Sequence, residues 1–158
     1  MIIFLGGYLE NNISQYNIYK AEGKEEINLV IGSCDAAFDE PVTERGIYQG
    51  LLEKLGTHGQ VAFAYNGSIL GYVAFYANQT AYAYISLIAV NSEQQNMHIG
   101  KQLLAYCESI AQENGIEMIQ LEVRKDNQNA ICFYHRNGFV WIQDKDEDSC
   151  YMKKQLSR

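Results

Sequence analysis

A single proline, Pro41, interrupts the 158 residues, and no run of apolar residues approaches the length needed to cross a bilayer. The first absence leaves long stretches free to form helices and strands, and the second leaves no segment long and apolar enough for a membrane-spanning helix. Basic side chains are scarce: twelve Lys and Arg face nineteen Asp and Glu, for a net charge of −7. Such a surface has no general attraction for nucleic acid or anionic lipid, so any phosphate must be held locally. The four cysteines, Cys34, Cys107, Cys132 and Cys150, form no C-x-x-C pair, and three lie in apolar periodic segments. They read as reduced thiols of a cytoplasmic protein, not as a metal site or a disulfide framework. The apolar run 1–5 lacks a basic flank and soon meets Glu10, so it is expected to be a strand or a frayed terminus. The sequons beginning at Asn12, Asn66 and Asn78 are then turn residues.

With 47% apolar residues the chain can bury one core, and a single domain over residues 1–158 is expected. A short strand within 15–20 precedes two helical patterns, about 24–38 and 43–55, with Pro41 between them. The period then changes to two. Residues 61–65 and 69–76 flank Asn66-Gly67, a hairpin dipeptide, and a second turn at 78–80 leads into 82–90, which makes an antiparallel meander. Ile99, Leu103, Cys107, Ile110 and Ala111 recur at helical spacing up to Gly115. A strand at 118–123 follows. Strand, crossover helix and strand favour parallel neighbours, so 82–90 and 118–123 should lie side by side. A helix at 129–137, ended by Gly138, and strands at 139–143 and 150–156 complete an α/β fold: a mixed sheet with helices on both faces.

The stretch QNMHIGKQLL, Gln95 to Leu104, places a polar loop between a strand and a helix start. The first N–H groups of a helix lack partners within it, and its dipole end is positive, so they can hold a diphosphate without many basic side chains. Gly100 permits close backbone approach, and Lys101 and His98 can add charge at the rim. The same features also suit an ordinary surface helix.

A second stretch, LEVRKDNQNAICFYHRNGF, Leu121 to Phe139, decides between them. Leu121-Glu122-Val123, Asn127, Ala130, Phe133-Tyr134 and Gly138-Phe139 resemble the C-terminal signature of the GNAT superfamily of acyl-CoA-dependent N-acyltransferases. Gln95-Asn96-Met97-His98-Ile99-Gly100 is then similar to the family's phosphate loop, R/Q-x-x-G-x-G/A, with His98 where a glycine is usual. The resemblance spans about 61–156, and the motifs occur in the family's order.

This resemblance implies a mostly antiparallel central sheet with one splayed parallel strand pair, and direct transfer of an acetyl group from acetyl-CoA to the primary amine of a small molecule or peptide. It assigns the diphosphate to Gln95, Asn96, His98, Ile99, Gly100 and Lys101. It assigns the pantetheine arm to backbone groups of Leu87, Ile88 and Val90, one of whose N–H groups would face the oxyanion, with Asn127 capping its helix or contacting the arm. Tyr134 is the expected acid for the departing thiolate. For the base, Asp39, Glu40, Glu44, His58, and Glu122 or Ser86 acting with water are all candidates. Tyr72 and Tyr76, with Tyr82, Tyr84 and Ser86, put hydroxyls on one sheet face, either lining an acceptor pocket or packing under the first helices. No metal, nucleic acid or membrane partner is expected, and homodimerisation is left open. Two alternatives stand beside the enzyme: a module that binds CoA without turnover, and a site for another phosphate ligand such as a nucleotide.

Overall fold

The computed structural model describes residues 16–78, 81–91 and 98–157. The expectations for residues 1–15, for the turn at Gln79 and Thr80, and for Gln95 and Asn96 lie outside these. The elements run β1 (Asn17–Lys20), α1 (Gly23–Ser33), α2 (Tyr48–His58), β2 (Gln60–Tyr65), β3 (Ile69–Tyr76), β4 (Ala83–Val90), α3 (Ile99–Glu113), β5 (Met118–Arg124), α4 (Gln128–Arg136), β6 (Val140–Asp144) and β7 (Ser149–Gln155). All seven strands join one sheet in the order β1-β2-β3-β4-β5-β7-β6. Every pairing is antiparallel except β4 with β5, the pair joined through α3.

The first two helices differ from their expected spans. α1 stops at Ser33, short of 38, because a 3-10 turn at Asp35–Ala37 follows. The Asp35 carboxylate draws the chain back by accepting from the Thr43 amide at 3.3 Å and from the Thr43 hydroxyl. A second 3-10 turn, Val42–Glu44, delays α2 to Tyr48, and the Tyr48 hydroxyl then donates to Asn28 Oδ1 at 2.7 Å, tying the two helices together. Helix periodicity is blind to such side-chain ties.

Two cores flank the sheet. Ile27, Val30 and Ile31 of α1 and Leu55 of α2 bury against Val61, Phe63, Tyr72, Ala74 and Ala89 on one face. Leu103, Cys107 and Ile110 of α3, with Ile131 and Tyr134 of α4, bury against Val73, Ile85, Ile119, Leu121 and Val123 on the other. Each fully buried aliphatic side chain contributes about 1.5–3 kcal/mol. Since Ile119, Leu121 and Val123 face α3 and α4, the alternation of β5 turns Gln120 and Glu122 to the face carrying α1 and α2.

Candidate active site

Two irregularities in β4 create the site. The register with β3 passes from Phe75↔Ile85 to Ala74↔Leu87, which leaves Ser86 as the extra residue of a bulge. On its other side β4 pairs with β5 only at Ala83↔Ile119, Tyr84↔Gln120 and Ile85↔Leu121. Beyond Ile85 the two strands part. The Asn91 amide donates to Leu70 O at 2.9 Å, so the antiparallel alternation turns Ala89 toward β3 and turns the peptide groups of Ile88 and Val90 into the gap. By the same alternation Leu87 turns toward β3. Gly71, opposite Val90, lets β4 lie close on that side: a Cβ there would come within 2.6 Å of Ala89 O and 3.1 Å of Val90 Cα.

At the open end of this fork stands the start of α3. Gln102 N–H donates to His98 O at 3.1 Å, which closes the first helical turn, while the amides of Ile99, Gly100 and Lys101 have no partner among the described residues and no side chain caps them. The Ile99 side chain is fully buried, so only its amide is available to a ligand. A Cβ on Gly100 would meet Phe133 Cζ at 3.0 Å and Val90 Cγ2 at 3.7 Å. Helix start, fork and α4 therefore converge within contact distance. His98 is the only non-glycine among the described residues with positive φ, at φ 58 and ψ 20. The loop does require the left-handed conformation where the family usually has glycine, and this histidine adopts it with its side chain exposed.

On α4, Asn127 caps the helix by accepting from the Ala130 amide at 3.2 Å. Tyr134 belongs to the core beneath the fork, with its ring 5.4 Å from Phe133 and 5.6 Å from Phe139. No hydrogen bond joins its hydroxyl to a described residue, and burial holds its pKa above the usual tyrosine value.

Residues 25–139 match the Acetyltransferase (GNAT) family. The chain belongs to the GNAT acetyltransferase family. Its fold is shared with the PaiA N-acetyltransferase of Thermoplasma acidophilum, solved with coenzyme A, at 21% identity over 88% of this chain and 99% of that one, TM-score 0.73. It is shared also with the ribosomal-protein-S18-alanine N-acetyltransferase of Escherichia coli, at 17% identity, 91% and 96% coverage and TM-score 0.73. A Bacillus anthracis protein described as a streptothricin acetyltransferase, solved with acetyl coenzyme A, is 25% identical over 63% of this chain and 64% of that chain, with TM-score 0.59. No curated protein matches in sequence.

Family membership makes acetyl-CoA the co-substrate against which the site is judged, and this GNAT site fits it. Free amides at a helix start suit a diphosphate, the missing Cβ at Gly100 lets the Phe133 ring pack against that start, and unpaired strand amides leading inward suit an extended arm bearing amide groups. From Val90 back to Ser86 the strand spans roughly 13 Å at the usual rise per residue.

The sheet face carrying α1 and α2 borders the fork on one side. Glu122 stands there, one residue past the last β4–β5 pair, at the crotch of the fork. Its carboxylate accepts from Lys145 Nζ at 2.9 Å and retains 29% side-chain exposure. Burial first, then the Glu122 charge, pushes the Tyr84 pKa up to about 12; Tyr84 stands in the last paired stretch of β4, opposite Gln120 and next to the crotch. Asp39 and Glu40, in the connection between α1 and α2, and Glu44 in its second 3-10 turn, are all exposed. His58 is the exposed last residue of α2. Tyr72 is fully buried in the core under α1 and α2, Tyr76 carries Lys54 Nζ 4.9 Å from its ring centroid, and Tyr82 precedes β4. Tyr72 and Tyr76 pack under the helices, the second of the two readings, and Tyr84 is the ring next to the crotch. Sequence reasoning missed Phe133 at the helix start and Lys145 at the crotch. The alternation of Leu121-Glu122-Val123 could have shown the face of Glu122, but no local signal foretold its partner.

Proposed function

We propose that the protein moves the acetyl group of acetyl-CoA directly onto a primary amine of a small molecule or peptide, both substrates being bound together. The observation that carries this reading is the fork: pairing that stops at Ile85↔Leu121 while the Ile88 and Val90 peptide groups stay turned into the gap, beside a helix start with unpartnered amides.

The residues present can perform each part of the transfer. Amides of Ile99, Gly100 and Lys101 would hold the diphosphate, with Lys101 and His98 at the rim. Ile88 and Val90 would pair with the arm as a strand does, and a main-chain N–H near the bulge at Ser86 would stabilise charge developing on the thioester oxygen. Tyr134, kept neutral by burial, serves as the acid for the sulfur. Among the carboxylates named from sequence, Glu122 is the one at the crotch on the acceptor side, and it serves as proton acceptor for the incoming ammonium. An acidic surface of net charge −7 favours approach of cationic acceptors.

Titration calorimetry with acetyl-CoA, run beside a free-thiol assay over a panel of amines, tests the proposal. Heat of binding together with amine-dependent thiol release is expected. Heat without release identifies a CoA-binding module, and displacement by ATP as readily as by CoA identifies a different phosphate ligand.

A further inference from the structure

The acceptor side of the fork already holds a primary amine. Lys145 begins the turn between β6 and β7, and that turn is built to hold its shape: the Lys145 amide donates to Ser149 O at 2.9 Å, and Asp146 Oδ1 accepts from the amides of Asp148 and Ser149 at 2.8 and 2.9 Å. The Lys125 amide donates to Asp148 O at 2.8 Å, and Lys125 Nζ meets Asp144 Oδ2 at 2.9 Å, so the hairpin is pinned to the end of β5. From this base the Lys145 side chain reaches back to Glu122. Glu122 stands one residue past the last β4–β5 pair, so the ammonium it holds lies at the crotch of the fork. The ion pair is half-exposed and screened by solvent, so it does not lock the lysine away. Three other lysines pair away from the fork: Lys24 with Glu53, Lys125 with Asp144 and Lys154 with Glu108.

We propose that Lys145 is an internal acceptor, acetylated on Nζ within its own chain when acetyl-CoA occupies the fork. The proposal rests on the functional reading above. Glu122 takes one proton from the ammonium, and the freed amine forms a C–N bond to the thioester carbonyl as the C–S bond breaks. The sulfur takes a proton from Tyr134, which regains one from the nitrogen; acetyl-lysine and CoA thiol result, with one proton released. The product amide cannot pair with Glu122 as an ion. Acetylation thus removes the internal ammonium and clears the crotch for an external one.

The groups facing Lys145 set its pH response. Glu122 on β5 is the largest influence, followed by Tyr151 on β7 and Asp146 in the turn, and together they raise the lysine pKa. The ammonium is therefore favoured at neutral pH, and the self-acetylation rate rises with pH through the alkaline range.

The test uses the full chain, isotopically labelled acetyl-CoA, intact-mass measurement and peptide mapping, with an amine panel run in parallel. The expected result is one acetyl group on Lys145, added at a first-order rate independent of protein concentration, at least tenfold faster than on any other lysine, and slowed at least tenfold by Glu122→Gln. Lys145→Arg should leave the chain without that mark. Label spread over surface lysines at equal rates, or a rate proportional to protein concentration, overturns the cis reaction. Turnover of panel amines with Lys145 unmodified overturns this inference alone, whereas no transfer to any amine or to Lys145 overturns it together with the functional reading.

Discussion

Replacing Tyr134 by phenylalanine separates a chemical role from a packing role, because the two roles predict opposite changes in rate and stability. The ring would keep its contacts with Phe133 and Phe139, at 5.4 and 5.6 Å, since only one oxygen is removed. The residue as a whole is buried and its hydroxyl has no partner among the described residues, so phenylalanine breaks no described hydrogen bond. The variant should therefore match the parent in stability to within about 1 kcal/mol, the scale of one net hydrogen bond, read from urea unfolding. General acid catalysis contributes on the order of 100- to 10,000-fold, or about 2.7–5.5 kcal/mol of barrier. Turnover at saturating acetyl-CoA and amine should fall at least 100-fold, while the KM for acetyl-CoA changes less than threefold, the pattern of an interaction made only in the transition state. Turnover within twofold of the parent would refute the role of Tyr134. A loss of more than about 2 kcal/mol in stability would show that the hydroxyl is a structural hydrogen-bonding group.

Two further outcomes follow from the same geometry. His98→Gly should leave stability unchanged or raise it by about 1 kcal/mol, as relief of the left-handed strain is partly offset by the entropy of glycine in the unfolded chain, and His98→Val should cost about 1–2 kcal/mol; calorimetry with CoA then reads the side chain, since a more than fivefold weaker affinity in the glycine variant would mean that the imidazole itself contacts the phosphates. Alkaline unfolding should begin above about pH 10, because burial raises the pKa of Tyr72, Tyr84, Tyr106 and Tyr134 above 10.0: each keeps its proton longer folded than unfolded, so stability is whole below 10 and is lost as pH rises through the folded values, about 12 for Tyr84. A midpoint of urea unfolding that stays constant from pH 9 to 11.5 would contradict it.

Local chemistry made much of this readable before any tertiary structure. The apolar spacing of Ile99, Leu103, Cys107, Ile110 and Ala111 is the buried face of α3, and Asn66-Gly67 turns a hairpin with Gly67 at φ 109. Asn127 caps α4 because an amide oxygen three residues before an N–H reaches it whatever the rest of the fold does. The helix start at Gly100 was legible for the same reason. What failed were boundaries set by distant partners. Asp35 and Thr43 are eight positions apart, and their bonds accompany the end of one expected helix and the delay of the next. Tyr72, by contrast, packs under the two helices, the second of the alternatives its strand position left open.

From its residues alone the chain determined which segments are helix or strand, that two strands run parallel, and where a helix offers bare amides, since each depends on neighbours a few positions away. Tertiary structure decided that β4 bulges at Ser86 and leaves β5 after Ile85, that Phe133 roofs Gly100, and that Lys145 reaches Glu122 from 23 positions along the chain. Those are contacts between strands and hairpins whose separation in sequence carries no record of their distance in space, because only the packed sheet brings them together.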